Sequence, residues 1–308
     1  MKMASLVPEK TPWGDAFNKM AADWSKVTNG EVELIVYHGS VTGKENDTLR
    51  KLKGNQIQVA VLSSLGLRLI APEIMAITTP FLIRDNTELD MVLKEVKSDI
   101  EKKISENGFH TIGWSKVGWV KFFSKAPVFI PSDIKKMKLA TDKDQPELMA
   151  AFKSMGYQMV PMAFTEVLIY LNGGMIDALY QNPATIAGLQ IFGLAKNMAS
   201  INVAPFMGTI LMNDSAWRSI PDKYKPELIK VVKKLEADLD SSVQKFEAST
   251  IDIMKQYGLV INNVSPQQEQ IWYDDMEKIG LNMFSNPQAK AMYAKIGTLL
   301  KNYRANKK

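Results

Sequence analysis

From about Lys223 to Tyr257 the chain carries no glycine, and its one proline, Pro226, falls in the first turn, where a missing N–H has no helical partner to lose. Some 34 residues of unbroken helix rising about 1.5 Å each reach roughly 50 Å, more than one lobe of a medium-sized protein is wide. A helix of that length predicts two lobes that share it. The 308-residue chain, about twice the usual domain size, has the material for both.

Hydrophobic residues make up 46% of the chain and charged residues 23%, the balance of a protein that buries a core and not of a disordered one. The longest apolar runs, such as QVAVLSSLGL at 58–67, fall short of the roughly 18 residues a membrane span needs. MKMASLVPEK at the start shows no leader pattern, so either a cytosolic protein or one whose targeting segment is missing is expected. With no cysteine, disulfides, thiolate metal sites and thiol nucleophiles are excluded. Net charge is +5, but the lysines alternate with acids, as in VKKLEADLDSSVQK, which is a solvated face and not a nucleic-acid stripe. Eighteen methionines offer adaptable packing against irregular apolar shapes.

The rhythm along the chain is α/β. A strand, MKMASLV, precedes an amphipathic helix with Phe17, Met20, Ala21, Trp24 and Val27 on one face, ended by Asn29 and Gly30. EVELIVY alternates Val32, Leu34 and Val36 inward, GKENDTLRKLKG reads as a short helix, and IQVAVL as a buried parallel strand. A helix with the stripe Leu89, Val92, Val96, Ile100 and Ile104 leads to two strands, FHTIGWS and VKFFSK. After a crossing near 123–131, a second series follows: KLAT, helix, YQMV, helix, IDALYQ, helix. GTILMND is a strand, and two helices follow the long one, SPQQEQIWYDDMEKIG and NPQAKAMYAKIGTLLKNY. The expected division is lobe I at 1–123 plus 209–245 and lobe II at 124–208 plus 246–308.

Chemistry-bearing patterns are sparse. Gly173 and Gly174 end a helix and do not open one, so no phosphate loop is expected. His38 and His110, the only histidines, lie on different elements, and Ser115 in GWSKVG is not on a nucleophile elbow. Glu166 and Asp177 could act as an acid and base pair, but a helix-start carboxylate and a turn-capping Asp is the reading preferred here. Two α/β lobes without a catalytic constellation point to binding.

PMAFTEVLIYLNGGMIDA, 161–178, resembles the signature of the TRAP-transporter periplasmic substrate-binding proteins, the DctP-like family, in which Pro-Met-x-Phe-x-Glu-Val-Tyr-x-Ala-Leu-Gln leads to Gly-x-Val-Asp-Gly. The stretch from Thr28 to Ser64, APEIMAITTPFLIRD and FIPSDIKKMKLAT resemble further family segments in the same order. The resemblance implies a two-lobe clamshell with a long helix spanning both lobes. It also implies capture of a small solute in the cleft, delivery to the membrane permease subunits, periplasmic location with a signal peptide or lipid anchor missing here, and no enzyme activity, cofactor or metal.

In the family an Arg at the end of the strand in Lys-x-Arg-Val pairs with a ligand carboxylate, and that position here is Ala140. A second basic position matches Val120, beside Lys121, and Tyr180 and Gln181 stand where Glu and Asn are usual. Leu6 and Ser63 fall at positions that are often polar, while Phe164 keeps a pocket-lining aromatic. The resemblance thus implies a largely apolar cleft for a hydrophobic or lipid-like ligand, lined by Leu6, Ser63, Trp119, Val120, Ala140, Phe164, Tyr180, Gln181, Phe206 and Met207. Three alternatives stay open: an organic acid held by Lys121 or Arg68, a docking protein for a TPR-repeat partner, or an enzyme using Glu166 and Asp177.

Overall fold

The computed structural model describes residues 1–39, 41–277 and 283–307. Its contacts divide the chain into unit 1, Met1–Met75, Glu95–Val117 and Phe206–Phe246, and unit 2, Ala76–Lys94, Gly118–Pro205 and Glu247–Lys308.

Unit 1 opens with β1 (Lys2–Ala4) and α1 (Pro12–Val27). Thr11 caps the helix by accepting from Gly14 N, and Asn29 and Gly30 follow its end with φ of 52° and 82°. β2 (Ile35–Tyr37) is shorter than the alternation of 31–37 predicts. Val32 and Leu34 are buried as expected, but Val32 N donates to the Thr28 hydroxyl and not to a strand. After α2 (Glu45–Lys53) comes β3 (Val59–Ser63), and β1 pairs in parallel with both β2 and β3. Two short helices, α3 (Ser64–Leu67) and α4 (Ile74–Ile77), and the long α5 (Asn86–Glu106) follow.

FHTIGWS and VKFFSK, expected as two strands, are one 16-residue strand, β4 (Phe109–Ser124). Gly118, with φ of +113°, bends the backbone without ending the strand, a conformation open to glycine at little cost. A β-carbon there would collide with the Glu247 carboxylate.

Unit 2 continues with α6 (Pro131–Lys135), β5 (Lys138–Asp142), α7 (Pro146–Ser154), β6 (Gln158–Met162), α8 (Val167–Asn172), β7 (Ala178–Gln181), α9 (Pro183–Gly188) and β8 (Asn197–Ala199). The chain returns to unit 1 from Phe206 with β9 (Ala204–Asn213), α10 (Asp214–Ser219) and the first part of α11 (Lys225–Gln256), and to unit 2 with the end of α11, β10 (Val260–Asn262), α12 (Pro266–Glu277) and α13 (Pro287–Asn306). The end of the helix expected from SPQQEQIWYDDMEKIG lies outside the described residues beyond Glu277. β5 pairs in parallel with β6 and β7, β7 runs antiparallel to β4, and β8 joins β4 to β10.

Each unit has its own core. In unit 1 Phe17, Met20 and Trp24 of α1 pack with Met3, Val59, Ile210 and Met212 and with Leu228, Val232, Leu235 and Leu239 of α11. In unit 2 Phe123, Met162, Val167, Leu171, Leu179, Met198, Met254 and Leu259 form a second cluster. The long helix has its residues 225–246 in unit 1 and 247–256 in unit 2.

Residues 76–94, expected in lobe I, pack in unit 2. Phe81 stacks on Trp272 at 5.1 Å, and Arg304 grips Glu88 with two 2.7 Å hydrogen bonds. These are contacts between segments about two hundred residues apart, which no local pattern announces.

Candidate functional site

Parallel strands end at one edge of their sheet, and loops leaving that edge are where α/β proteins gather ligand groups. In unit 1 that edge is reached by β1 and β3. Ala4 is in register with Ala60, so Leu6, just past β1, and Ser63, the last residue of β3, come to the same edge. β9 runs antiparallel to β3 with Gly208 opposite Ser63, and Ser64 Oγ lies 3.4 Å from Met207 O. Ser63 and Met207 thus come close together in unit 1, with Leu6 at the same edge and Phe206 next to Met207 along β9, Met207 buried and Phe206 partly so.

Glu45, the first residue of α2, holds this edge together and was not singled out from the sequence. Its carboxylate accepts from Ser63 N at 2.5 Å and from Ser63 Oγ at 2.9 Å. Burial pushes the Glu45 carboxyl above its usual range, while the Ser63 and Gly66 amides and the Arg68 charge pull the other way. Ser63 Oγ also accepts from Leu65 N and so caps α3. Arg68, a candidate clamp, donates from Nε to Leu65 O at 3.2 Å. A Glu at the start of a helix is common enough that only the folded chain reveals this one as a support for Ser63.

Unit 2 presents the ends of β5, β6 and β7. Ala140 is in register with Val160, and the β5 and β7 pairing sets Ala140 beside Leu179. Ala140 is 8% exposed and belongs to the apolar cluster of Phe123, Met162 and Leu179, against which Phe164 packs from the turn after β6. Side chains alternate between faces, so Tyr180 lies on the other side of the sheet. There it meets Phe122, ring centroids 6.3 Å apart, with its hydroxyl 3.5 Å from Thr141 Oγ1. Burial pushes the Tyr180 phenol up, so it stays neutral and can donate a hydrogen bond. The structure therefore brings Ala140 and Phe164 together and sets Tyr180 apart from them.

Gln181 is opposite Lys121 across β7 and β4, which places both on the Ala140 face. Lys121 is nevertheless occupied: Nζ donates to Ser200 O at 2.6 Å and to Asn202 Oδ1 at 2.8 Å. Burial lowers its pKa, against the opposing charges of Glu247 and Glu269. Val120 accepts Val203 N through its carbonyl at 2.9 Å, and buried Trp119 donates from its indole to Asn86 Oδ1 at 3.0 Å.

Glu166 and Asp177 are structural, as preferred from the sequence. Glu166 accepts from Ala163 N, and Asp177 accepts from Lys138 N and lies 3.8 Å from Lys125 Nζ. His38 bonds Asn18 and His110 stacks on Trp217 at 4.2 Å. Among the described residues no group of three potential metal ligands gathers.

Two α/β units with parallel strands that run out at an edge, bearing groups tied into local hydrogen bonds, have the architecture of a two-lobe binding protein. Residues 3–286 match the bacterial extracellular solute-binding proteins of family 7, DctP, and the chain belongs to that family. Among its relatives, the 2,3-diketo-L-gulonate-binding periplasmic protein YiaO of Escherichia coli (strain K12) is 24% identical over 236 residues, 76% of this chain and 72% of that protein. The C4-dicarboxylate-binding periplasmic protein DctP of Vibrio cholerae is 19% identical over 272 residues, 88% of this chain and 82% of that one. The fold is shared with the TRAP periplasmic solute-binding protein of Sulfurospirillum deleyianum, solved with bound succinate, at a TM-score of 0.84 and 22% identity, covering 97% of this chain and 98% of that one. It is shared as well with the Desulfovibrio salexigens protein solved with bound orotic acid, at a TM-score of 0.86 and 18% identity, covering 99% and 98%. This chain is a periplasmic solute-binding component of a TRAP transporter, which implies a small-molecule ligand and membrane permease subunits as partners, and it is not an enzyme.

Proposed function

We propose that the solute is hydrophobic or lipid-like and that the unit 2 edge carrying Ala140 and Phe164 receives it. The supporting observation is Ala140 itself. Where the family pattern has an Arg, this chain has a methyl group set in an apolar cluster. The cation on the same face, Lys121, already gives two hydrogen bonds to Ser200 and Asn202. An acid brought to this wall would lose its hydration without gaining a free guanidinium, a cost of several kcal/mol.

A second reading is an organic acid held by Lys121. It is favoured by the shared face of Lys121 and Ala140 and by the acids bound in the solved relatives. For that, Lys121 must exchange at least one protein acceptor for the ligand.

Native mass spectrometry of the purified protein, followed by denaturing extraction, separates the two. A released lipid-like molecule supports the apolar wall, and a released polar acid overturns it. An empty chain that co-purifies with a TPR-repeat protein would instead support a docking role.

A further inference from the structure

We propose that a second surface of unit 2, built around α8, docks reversibly on an anionic lipid membrane. The proposal is independent of the nature of the solute. α8 buries Val167 and Leu171 in the unit 2 core, which is what an amphipathic helix should do. Its outward positions should then be polar, yet two of the three exposed ones are the aliphatic Leu168 and Ile169, and only Asn172 is polar. Leu168 is 41% exposed and Ile169 67%, and with Met175 and Leu194 they line one shallow groove floored by Asn172 and Gly173. Isolated exposed aliphatics need no explanation, whereas a contiguous group calls for an occupant.

Charge selects the occupant. Between Ala163 and Ser200 the only charged residues are Glu166, Asp177 and Lys196, in a chain that is 23% charged. Asp177 is paired with Lys125 at 3.8 Å, and Glu166, bonded to Ala163 N, keeps the one negative charge of the three without a cationic partner among the described residues, against the two lysines Lys138 and Lys196. Exposed lysines remain at the rim: Lys138 reaches Gly174 O at 3.0 Å, and Lys196 follows Leu194 by two residues. An apolar centre with ammonium groups around it suits the boundary between acyl chains and anionic headgroups. The chain's net charge of +5 draws it toward such a surface and works against pairing with a second copy. For a protein whose partner permease lies in the membrane, weak residence on the bilayer confines the search for that partner to two dimensions.

The test is co-sedimentation of the full chain at low salt with vesicles of about 30% phosphatidylglycerol in phosphatidylcholine. Binding is expected, with a weaker response to pure phosphatidylcholine and to added salt. Leu168→Asp with Ile169→Asp should weaken partitioning by about tenfold or more, and Lys138→Glu with Lys196→Glu by about the same factor. The substituted side chains are exposed, so circular dichroism and solute binding should remain those of the parent. Failure of the parent to sediment, or unchanged sedimentation of both variants, overturns the proposal. So does a dimer in sedimentation velocity that Ile169→Asp dissociates in the absence of vesicle binding, which would assign the groove to a second copy.

Discussion

The two units end their parallel strands in opposite ways. Unit 1 keeps a polar edge, where Glu45, Ser63 and Arg68 are bonded to one another or to nearby backbone. Unit 2 has Ala140, Met162 and Phe164 there, with Lys121, on the Ala140 face, turned to Ser200 and Asn202. The difference separates two kinds of polar group. A carboxylate whose partners come from its own chain is satisfied whether or not a ligand is present. A guanidinium that waits for a ligand carboxylate is useful only if that carboxylate arrives, and otherwise stands as an uncompensated charge. Unit 1 retains the first kind, and unit 2 lacks the second.

The largest effects should come from the aromatic centres of the two units. Trp24 and Trp272 are both fully buried, each with its indole N–H on a backbone carbonyl, of Leu228 and Phe129 respectively. Replacing either with Ala should cost about 3–5 kcal/mol in urea unfolding. Their consequences for binding should differ. Trp272 packs on Phe122 of β4, a strand of the sheet that carries Ala140 on its other face, so Trp272→Ala should also weaken solute binding by disturbing that sheet. Trp24→Ala should leave binding near its parent value once the protein is folded. Equal losses of affinity in both variants would erase the distinction between the units.

Next in size is Ala140→Arg. It places a guanidinium at the strand position from which the family pattern clamps a carboxylate, and a bidentate pair there should raise affinity for a C4 dicarboxylate by about tenfold or more. Affinity for an apolar ligand should fall, and overpacking beside Met162 should cost about 1–3 kcal/mol of stability. Titration calorimetry with both ligand types reads the exchange. A folded Arg variant that loses neither ligand and gains none places the solute elsewhere.

What the sequence disclosed follows from the range of the interactions involved. α1, α5 and α11 were legible because an apolar stripe and its caps are local, and Pro226 with no glycine after it fixed the long helix to within two residues at its start. FHTIGWS and VKFFSK read as two strands because the residues between them do not show in sequence whether a strand ends there or only bends, as it does at Gly118. β8 and β10, three residues each, escaped notice because their pairing joins Asn197 to Val260, far apart in the chain. At the candidate site, Ala140 and Phe164 could be placed from motif positions. The engagement of Lys121 by Asn202 and of Ser63 by Glu45 could not, since a side chain's partner depends on which loops the fold brings beside it.

The smallest expected effect lies in the polar edge of unit 1, and its sign is diagnostic. Burial raises the Glu45 carboxyl above its ordinary 4.5, so the folded chain holds that proton at pH values where the unfolded chain has released it. In that window the folded state binds more protons, and stability therefore falls as pH rises. The contribution is fully present below 4.5 and is lost as pH climbs through the raised value. Glu45→Gln removes the titration while retaining an acceptor for Ser63. At neutral pH, relief of a buried charge and loss of a charge-assisted hydrogen bond oppose each other, and the net change should be below about 1 kcal/mol. Glu236 and Glu247 are raised by burial in the same direction, so the parent curve alone does not isolate Glu45. The difference between parent and variant does. Urea unfolding from pH 4 to 8 should show the Gln variant gaining on the parent as pH rises through the window and then running parallel to it. A difference that is flat throughout would mean that the Glu45 charge is solvated, and that the polar edge of unit 1 is as open to water as the lysines at the rim of α8.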